Sequence, residues 1–200
     1  MDAEKYHPVK FLDQMEGNNH MVLLYDNQEY ADLIIARYFL NGLKKGESCV
    51  FFTSDRPESA EERLSAGGVD VDRYRKAGLL RIFHVGKVDS GNLDPLAILK
   101  GIRKESTRGM KPPFRFAGRT ILDTESKEGM LSGLAVEKMG QDHFAEFDNS
   151  QMCFYDISKL EKTKRDEWIK GLLKNHHQVI YASDPDKAVA FETTLLETEE

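Results

Sequence analysis

Strand-like and helix-like segments alternate along almost the whole chain, and no other feature of the sequence restricts the fold as much. His20 to Tyr25 (His-Met-Val-Leu-Leu-Tyr) is a short, nearly continuous apolar run of the kind found in a strand buried on both faces. Asp26 then offers an N-cap oxygen with Glu29 three residues on. Apolar positions from Tyr30 to Leu40 follow, before Gly42 and Gly46, which predicts a helix to Leu43. Cys49 to Thr53 reads as a second strand, and Pro57 opens a helix that runs through Leu64 to Gly67 and Gly68. A helical piece from Val71 to Lys76, a strand from Leu79 to Val85 and a helix from Asp94 and Pro95 through Leu96, Leu99 and Ile102 continue the pattern. A polar, glycine-containing loop joins the last two.

Pro112 and Pro113 end that segment, and Phe114 to Ile121 reads as a fourth strand. Between Glu125 and Asp148 the apolar residues Met130, Leu131, Leu134, Met139, Phe144 and Phe147 suggest helix. Gly129, Gly133 and Gly140 interrupt them, so one helix with irregular ends, or two, is expected. Gln151 to Tyr155 reads as a fifth strand, Asp166 to Lys174 as a helix carrying Trp168 and Leu172, and Val179 to Ala182 as a sixth strand. Parallel neighbours need crossover connections, so this order predicts an α/β fold in three layers, α/β/α, around a mostly parallel sheet.

Two hundred residues with 40% hydrophobic content suffice for one core and leave little room for a second. We divide the chain into an N-terminal arm (1–16), one α/β domain (17–192) and an acidic tail (193–200). The net charge is −6, and no Lys/Arg-rich block interrupts the mixed charge, so direct nucleic-acid binding is not expected. No apolar stretch approaches the roughly 20 residues of a bilayer span. The polar start from Met1 to Lys10 has no hydrophobic signal core, which predicts a cytoplasmic protein without membrane contact. Cys49 and Cys153 lie in apolar runs and read as reduced, packed thiols.

In sheets of this type ligands sit beyond the carboxyl ends of the strands. Those ends carry Tyr25 and Asp26, Ser54 and Asp55, His84, Gly118 and Arg119, and Tyr155 and Asp156. A nucleotide-hydrolysing enzyme of this architecture needs the first strand to enter a glycine-rich loop followed by Lys and Ser/Thr. Here the strand enters Tyr25-Asp-Asn-Gln-Glu-Tyr30, which has no glycine, lysine or Ser/Thr. Two carboxylates stand where phosphate charge would lie.

The chain resembles the MEDS domain, named for methanogen and methylotroph proteins and for the sensory region of the regulator DcmR. The resemblance rests on four segments: His20 to Tyr25; Phe39 to Leu43 (Phe-Leu-Asn-Gly-Leu) with Gly46 and Glu47 leading into strand two; Met152 to Asp156 (Met-Cys-Phe-Tyr-Asp); and Leu172 to His176 (Leu-Leu-Lys-Asn-His) before the last strand. It extends over roughly residues 17–182. It implies a RecA/KaiC-like fold, a P-loop NTPase fold without a functional P-loop, and a non-catalytic role in sensing small, hydrocarbon-derived molecules within transcription regulation or signal transduction. The family's arginine before the long helical region corresponds to Arg119. Its acidic residue near the end of that region corresponds to Glu146, with Asp123 and Glu125 as competitors. The family commonly has His-Pro before the last strand, where this chain has His176 and His177.

The ligand contacts expected from residues and resemblance together are His20, Tyr25, Asp26, Arg119, Glu146, Tyr155, Asp156 and His176. Six of these have a structural alternative. His20 can be a hydrogen-bonded strand-end histidine, and Tyr25 and Tyr155 can pack against helices. Asp26 reads as a helix cap rather than a catalytic carboxylate, Asp156 as a structural or ligand-orienting group, and Arg119 as an anion clamp or an ion-pair partner of Asp123, Glu125 or Glu146. His20, Cys153 and His176 invite comparison with a zinc site, but no short Cys/His spacing preorganises one, and no metal ligand, catalytic residue or cofactor is assigned. The expected function is a sensory domain that binds an unknown small molecule. No helix-turn-helix accompanies it, so output would pass through a partner chain, a DNA-binding protein or a kinase, and homo-oligomer formation stays open. The alternatives are a KaiC/RecA-like ATP-binding protein or ATPase with an atypical loop, and a protein-interaction module without a ligand.

Overall fold

A computed structural model describes residues 7–86 and 94–196. In chain order it contains α1 (Pro8–Asp13), β1 (His20–Tyr25), α2 (Gln28–Lys45), β2 (Ser48–Thr53), α3 (Pro57–Ala66), α4 (Val71–Lys76), β3 (Leu80–His84), α5 (Pro95–Ser106), β4 (Phe114–Gly118), α6 (Lys127–Asp142), β5 (Asn149–Asp156), α7 (Arg165–Lys174), β6 (Gln178–Ala182) and β7 (Val189–Glu192). The loop before Asp94 and the end from Glu197 to Glu200, read above as a polar connection and an acidic tail, lie outside the described residues.

The strands form one sheet in the order β3-β2-β4-β5-β1-β6-β7. All neighbours pair in parallel except β7, which runs antiparallel to β6. Central β1 is buried along its whole length, as its unbroken apolar run requires when helices cover both faces. On one face Met21, Leu23, Phe51, Met152, Phe154 and Ile180 pack with Ile34, Ile35, Tyr38 and Phe39 of α2 and Leu64 of α3. On the other, Val22, Leu24, Cys153, Tyr155 and Val179 pack with Met130 of α6 and Trp168 and Leu172 of α7. Residues alternate between these two cores because successive strand side chains point to opposite faces.

Several local expectations change. The segment read as an arm contains α1, whose Leu12 is buried in the core and whose Asp13 pairs with Arg37 of α2 at 2.5 Å. A seventh strand, β7, follows the six expected. Asn27 rather than Asp26 caps α2: its side chain accepts from the Tyr30 amide at 3.1 Å. Between 125 and 148, by contrast, the chain takes the first of the two expected forms, a single α6 followed by a 3-10 turn at Phe144–Glu146. Two of its glycines, Gly129 and Gly133, serve contact instead of interruption. A Cβ at Gly133 would stand 2.5 Å from Cγ2 of Ile121, so α6 reaches the Ile121 segment only because that position has no side chain.

Candidate functional site

The turn from β1 to α2 consists of Asp26 and Asn27 alone, and the start of α2 satisfies itself through Asn27 and a Gln28 to Asp32 hydrogen bond of 2.8 Å. Beyond the strand ends lies a crevice of about 110 Å³ bordered by Tyr25, Ser54, Asp55, Arg63, Arg119 and Lys159. Ligand sites usually measure about 300–1,000 Å³, so this crevice is small for a nucleotide. Its cations are already engaged: Arg63 with Asp32 at 2.5 Å, Arg119 with Ser54 at 3.1 Å and Lys159 with Asp156 at 3.3 Å.

The expected contact residues therefore separate. Tyr25 and Arg119 border the crevice. Asp26 points to solvent and accepts from the Tyr181 hydroxyl at 3.2 Å. Asp156 caps the 3-10 turn Ile157–Lys159, accepting from the Ser158 amide at 2.9 Å. Glu146 is exposed and held by Lys100 at 3.0 Å and His143 at 2.5 Å, away from the crevice. Arg119 pairs with the Ser54 and Asp55 side of the crevice, not with Asp123, Glu125 or Glu146.

His20, Tyr155 and His176 converge instead beneath α6, where they meet Cys153 and Glu137. The β1–β5 register sets Val22 beside Cys153 and His20 beside Gln151, so all of these share one face of the sheet. Sγ of Cys153 lies 3.8 Å from Nε2 of His20 and 3.7 Å from Oε2 of Glu137, which is 3.7 Å from Nε2 of His176. His20, Glu137, Cys153 and His176 are each no more than 2% exposed. The Tyr155 hydroxyl donates to Oε1 of Glu137 and accepts from the amides of Thr120 and Ile121 at 3.3 and 3.2 Å. Both imidazoles spend Nδ1–H outside the cluster, His20 on Oε1 of Gln141 and His176 on the Leu172 carbonyl, each at 2.7 Å. This assigns a bare Nε2 lone pair to each ring, turned inward.

Charge is expensive here. Burial and the adjacent His176 lower His20 to about 3, and burial lowers His176 to about 4, so both rings are neutral. Burial raises the Glu137 carboxyl, and burial together with Glu137 raises the Cys153 thiol.

A larger cavity adjoins this cluster. The apolar side chains Ile98, Leu99 and Ile102 of α5 are only half-buried, and with Phe116, Val136 and Met139 they line a space of about 490 Å³ between α5 and α6. Its polar groups are few: Arg103, Arg119, Thr120, Ser132 and Gln151. Thr120 and Gln151 also touch the sulfur of Cys153, at 3.6 and 3.1 Å, so the pocket and the cluster share a wall. A second space of about 480 Å³ lies near α1 and β7, bordered by Phe11, Met15, Phe191 and Leu195.

Glu137, Gln141, Gln151, Thr120 and Arg103 are among the site residues that sequence reading did not select. The signal for Glu137 was available. Met130, Gly133, Glu137 and Gly140 recur at helical spacing and form the buried stripe of α6, so the acid stands among positions facing the core.

The family profile described as MEthanogen/methylotroph, DcmR Sensory domain (MEDS) matches residues 19–176. No curated protein matches the sequence significantly. Among solved structures, a KaiC-like protein from the hyperthermophilic archaeon Pyrococcus horikoshii OT3 superposes with a TM-score of 0.58 at 15% identity, covering 84% of this chain and 73% of that one. A second Pyrococcus horikoshii OT3 protein, known from a structural study, superposes with a TM-score of 0.62 at 17% identity over 92% and 91% of the two chains. These likenesses establish the RecA/KaiC-like fold. No helix among the described residues is long and apolar enough to cross a membrane.

Proposed function

The chain belongs to the MEDS family of sensory domains, and from that premise we propose that it is a non-catalytic sensor binding a small, largely apolar molecule between α5 and α6. The observation that carries this reading is the cavity of about 490 Å³, apolar along α5 and α6 with a short polar wall at Thr120, Gln151 and Arg103. That volume and that sparse polarity are what small-molecule sites have in common. The cavity also lies within the family-matched residues, whereas nearly all the lining of the space beside α1 and β7 lies outside them. Occupancy would draw α5 toward the sheet, and a partner that distinguishes the two positions of α5 would read the signal in the cytoplasm. Nucleotide binding is disfavoured by the two-residue turn after β1 and by the small crevice with its engaged cations.

The test is a titration of the full chain with straight-chain alcohols from butanol to octanol, followed by thermal shift and ligand-detected NMR, with ATP and magnesium in parallel. Saturable alcohol binding that Val136→Trp removes supports the proposal. Saturable ATP binding with turnover, or no alcohol binding at any chain length, refutes it.

A further inference from the structure

We propose that His20, Glu137, Cys153 and His176 together bind one divalent metal ion of the zinc class. The inference is independent of the pocket reading. The four donors come from β1, α6, β5 and the connection between α7 and β6, and their ligand atoms all lie within 4.8 Å of one another. Zinc bonds of about 2.0–2.3 Å at tetrahedral angles place neighbouring ligand atoms about 3.4–3.6 Å apart. The separations of 3.7, 3.7 and 3.8 Å need to contract only slightly to close on such an ion, and the remaining donor pairs, all within 4.8 Å, by up to about 1.4 Å.

A second observation points the same way. Nε2 of His176 is fully buried, has no hydrogen-bond partner among the described residues, and faces Oε2 of Glu137. An orphaned lone pair in a dry site is costly and calls for a Lewis acid or a donor. Both histidines also carry the outer support that metal-bound imidazoles have, Nδ1–H held by an acceptor. Behind them Gln141 passes its own amide to Nε2 of His177 at 2.7 Å, which fixes its orientation.

The donor set selects the ion. Two imidazoles, one thiolate and one carboxylate suit zinc and its borderline neighbours, while magnesium and calcium prefer oxygen alone. A thiolate and a carboxylate cancel a charge of +2, so the loaded site is neutral in a place where net charge is costly. All four positions are protein ligands. The site therefore has no opening for substrate and acts as a cross-link, tying α6 and the α7–β6 connection to the centre of the sheet.

The full chain, purified without a polyhistidine tag and stripped with chelator, is titrated with Co(II) alone. The expected result is uptake of one equivalent, with visible bands of tetrahedral cobalt and a near-ultraviolet thiolate-to-cobalt band, both lost when zinc is added. Cys153→Ser should remove the thiolate band, and His176→Gln and Glu137→Gln should weaken binding roughly 100-fold or more, beyond the 10–100-fold typical of outer-shell changes. Glu146→Gln, exposed and outside the cluster, should bind as the unaltered chain does. Uptake without a thiolate band, no stoichiometric uptake by the folded chain, or equal affinity in His176→Gln would each overturn the proposal. If a variant fails to fold, the spectrum of the unaltered chain decides.

Discussion

The side-chain nitrogen of Gln151 donates to Sγ of Cys153 at 3.1 Å, so one amide belongs both to the pocket wall and to the surroundings of the buried sulfur. Its oxygen accepts from Arg103 at 2.7 Å, and Arg103 has as further partners Oδ1 of Asn149 at 3.3 Å and the ring of Phe147 at 3.9 Å. Gln151→Leu keeps the bulk and removes both bonds. It leaves a nearly buried guanidinium short of one acceptor, which should cost about 1–3 kcal/mol in urea unfolding. Gln151→Glu restores the acceptor but sets an anion beside the sulfur. It should recover the Arg103 part of the stability while weakening cobalt binding. If Gln151→Leu unfolds at the same urea concentration as the unaltered chain, the bridge contributes nothing.

On the opposite face Arg115 is 2% exposed and grips Glu47 with two bonds, Nε to Oε2 at 2.6 Å and a terminal nitrogen to Oε1 at 3.1 Å. A third bond goes to the Tyr38 carbonyl at 2.9 Å. Breaking a buried pair from one side costs about 3–5 kcal/mol, because the other charge is stranded. Glu47 has some solvent access, so Arg115→Met should fall near the lower end, about 3 kcal/mol. Arg115→Met combined with Glu47→Leu should recover most of the loss. A double variant no more stable than the single one would show that packing around Gly42, and not charge, governs this site.

Much of the fold was legible because strands buried on both faces must be written in continuous apolar residues, as His20 to Tyr25 and Cys49 to Thr53 are. The missing phosphate loop was legible for the same reason: it depends on residues next to one another in sequence. Short elements were not. Residues Pro8–Asp13 and Val189–Glu192 are held by tertiary contacts, Leu12 against the core and β7 against β6, which four to six residues cannot announce. The cluster was half legible. His20, Cys153 and His176 were visible as residue types, but 133 positions separate His20 from Cys153, and only the parallel register of β1 and β5 unites them. The glycines of α6 left one helix or two open, because a glycine that breaks a helix and one that lets a helix approach its neighbour look alike in sequence.

The environment of the single tryptophan should respond to acid. Glu161 accepts from the Thr163 amide at 2.9 Å, the Thr163 hydroxyl at 2.7 Å and Nε1 of Trp168 at 3.0 Å. Partial burial opposes its charge, but these bonds prevail and lower the carboxyl from 4.5 to about 2. The unfolded chain therefore binds the proton first. The stabilisation is complete above the unfolded value and drains away as pH falls toward 2. The melting temperature of the unaltered chain should fall between about pH 5 and about pH 2 with a change in Trp168 fluorescence, and Glu161→Gln should be less stable at neutral pH with a flatter profile over that range. An identical profile for the two proteins would remove Glu161 from the account.

Two glycines of α6 should respond oppositely to the same substitution. Alanine favours a helix over glycine by about 1 kcal/mol, and at Gly140 a Cβ meets nothing within 4 Å, so Gly140→Ala should stabilise by up to that amount. At Gly133 the new Cβ would lie 2.5 and 2.6 Å from the two γ carbons of Ile121, a β-branched side chain that is 1% exposed and has little freedom to yield. Overpacking of this kind costs about 1–3 kcal/mol against a helical gain of about 1 kcal/mol, so Gly133→Ala should be destabilising by up to about 2 kcal/mol. The displacement would also be felt one turn later. Glu137 is the next residue but three on the same face, and lifting α6 from Ile121 draws its carboxylate away from Cys153 and His176. Cobalt affinity should therefore fall in Gly133→Ala and stay unchanged in Gly140→Ala, with thermal melts of the metal-free proteins separating in the opposite senses stated. Equal stability and equal cobalt binding in the two variants would mean that α6 is not positioned by this contact.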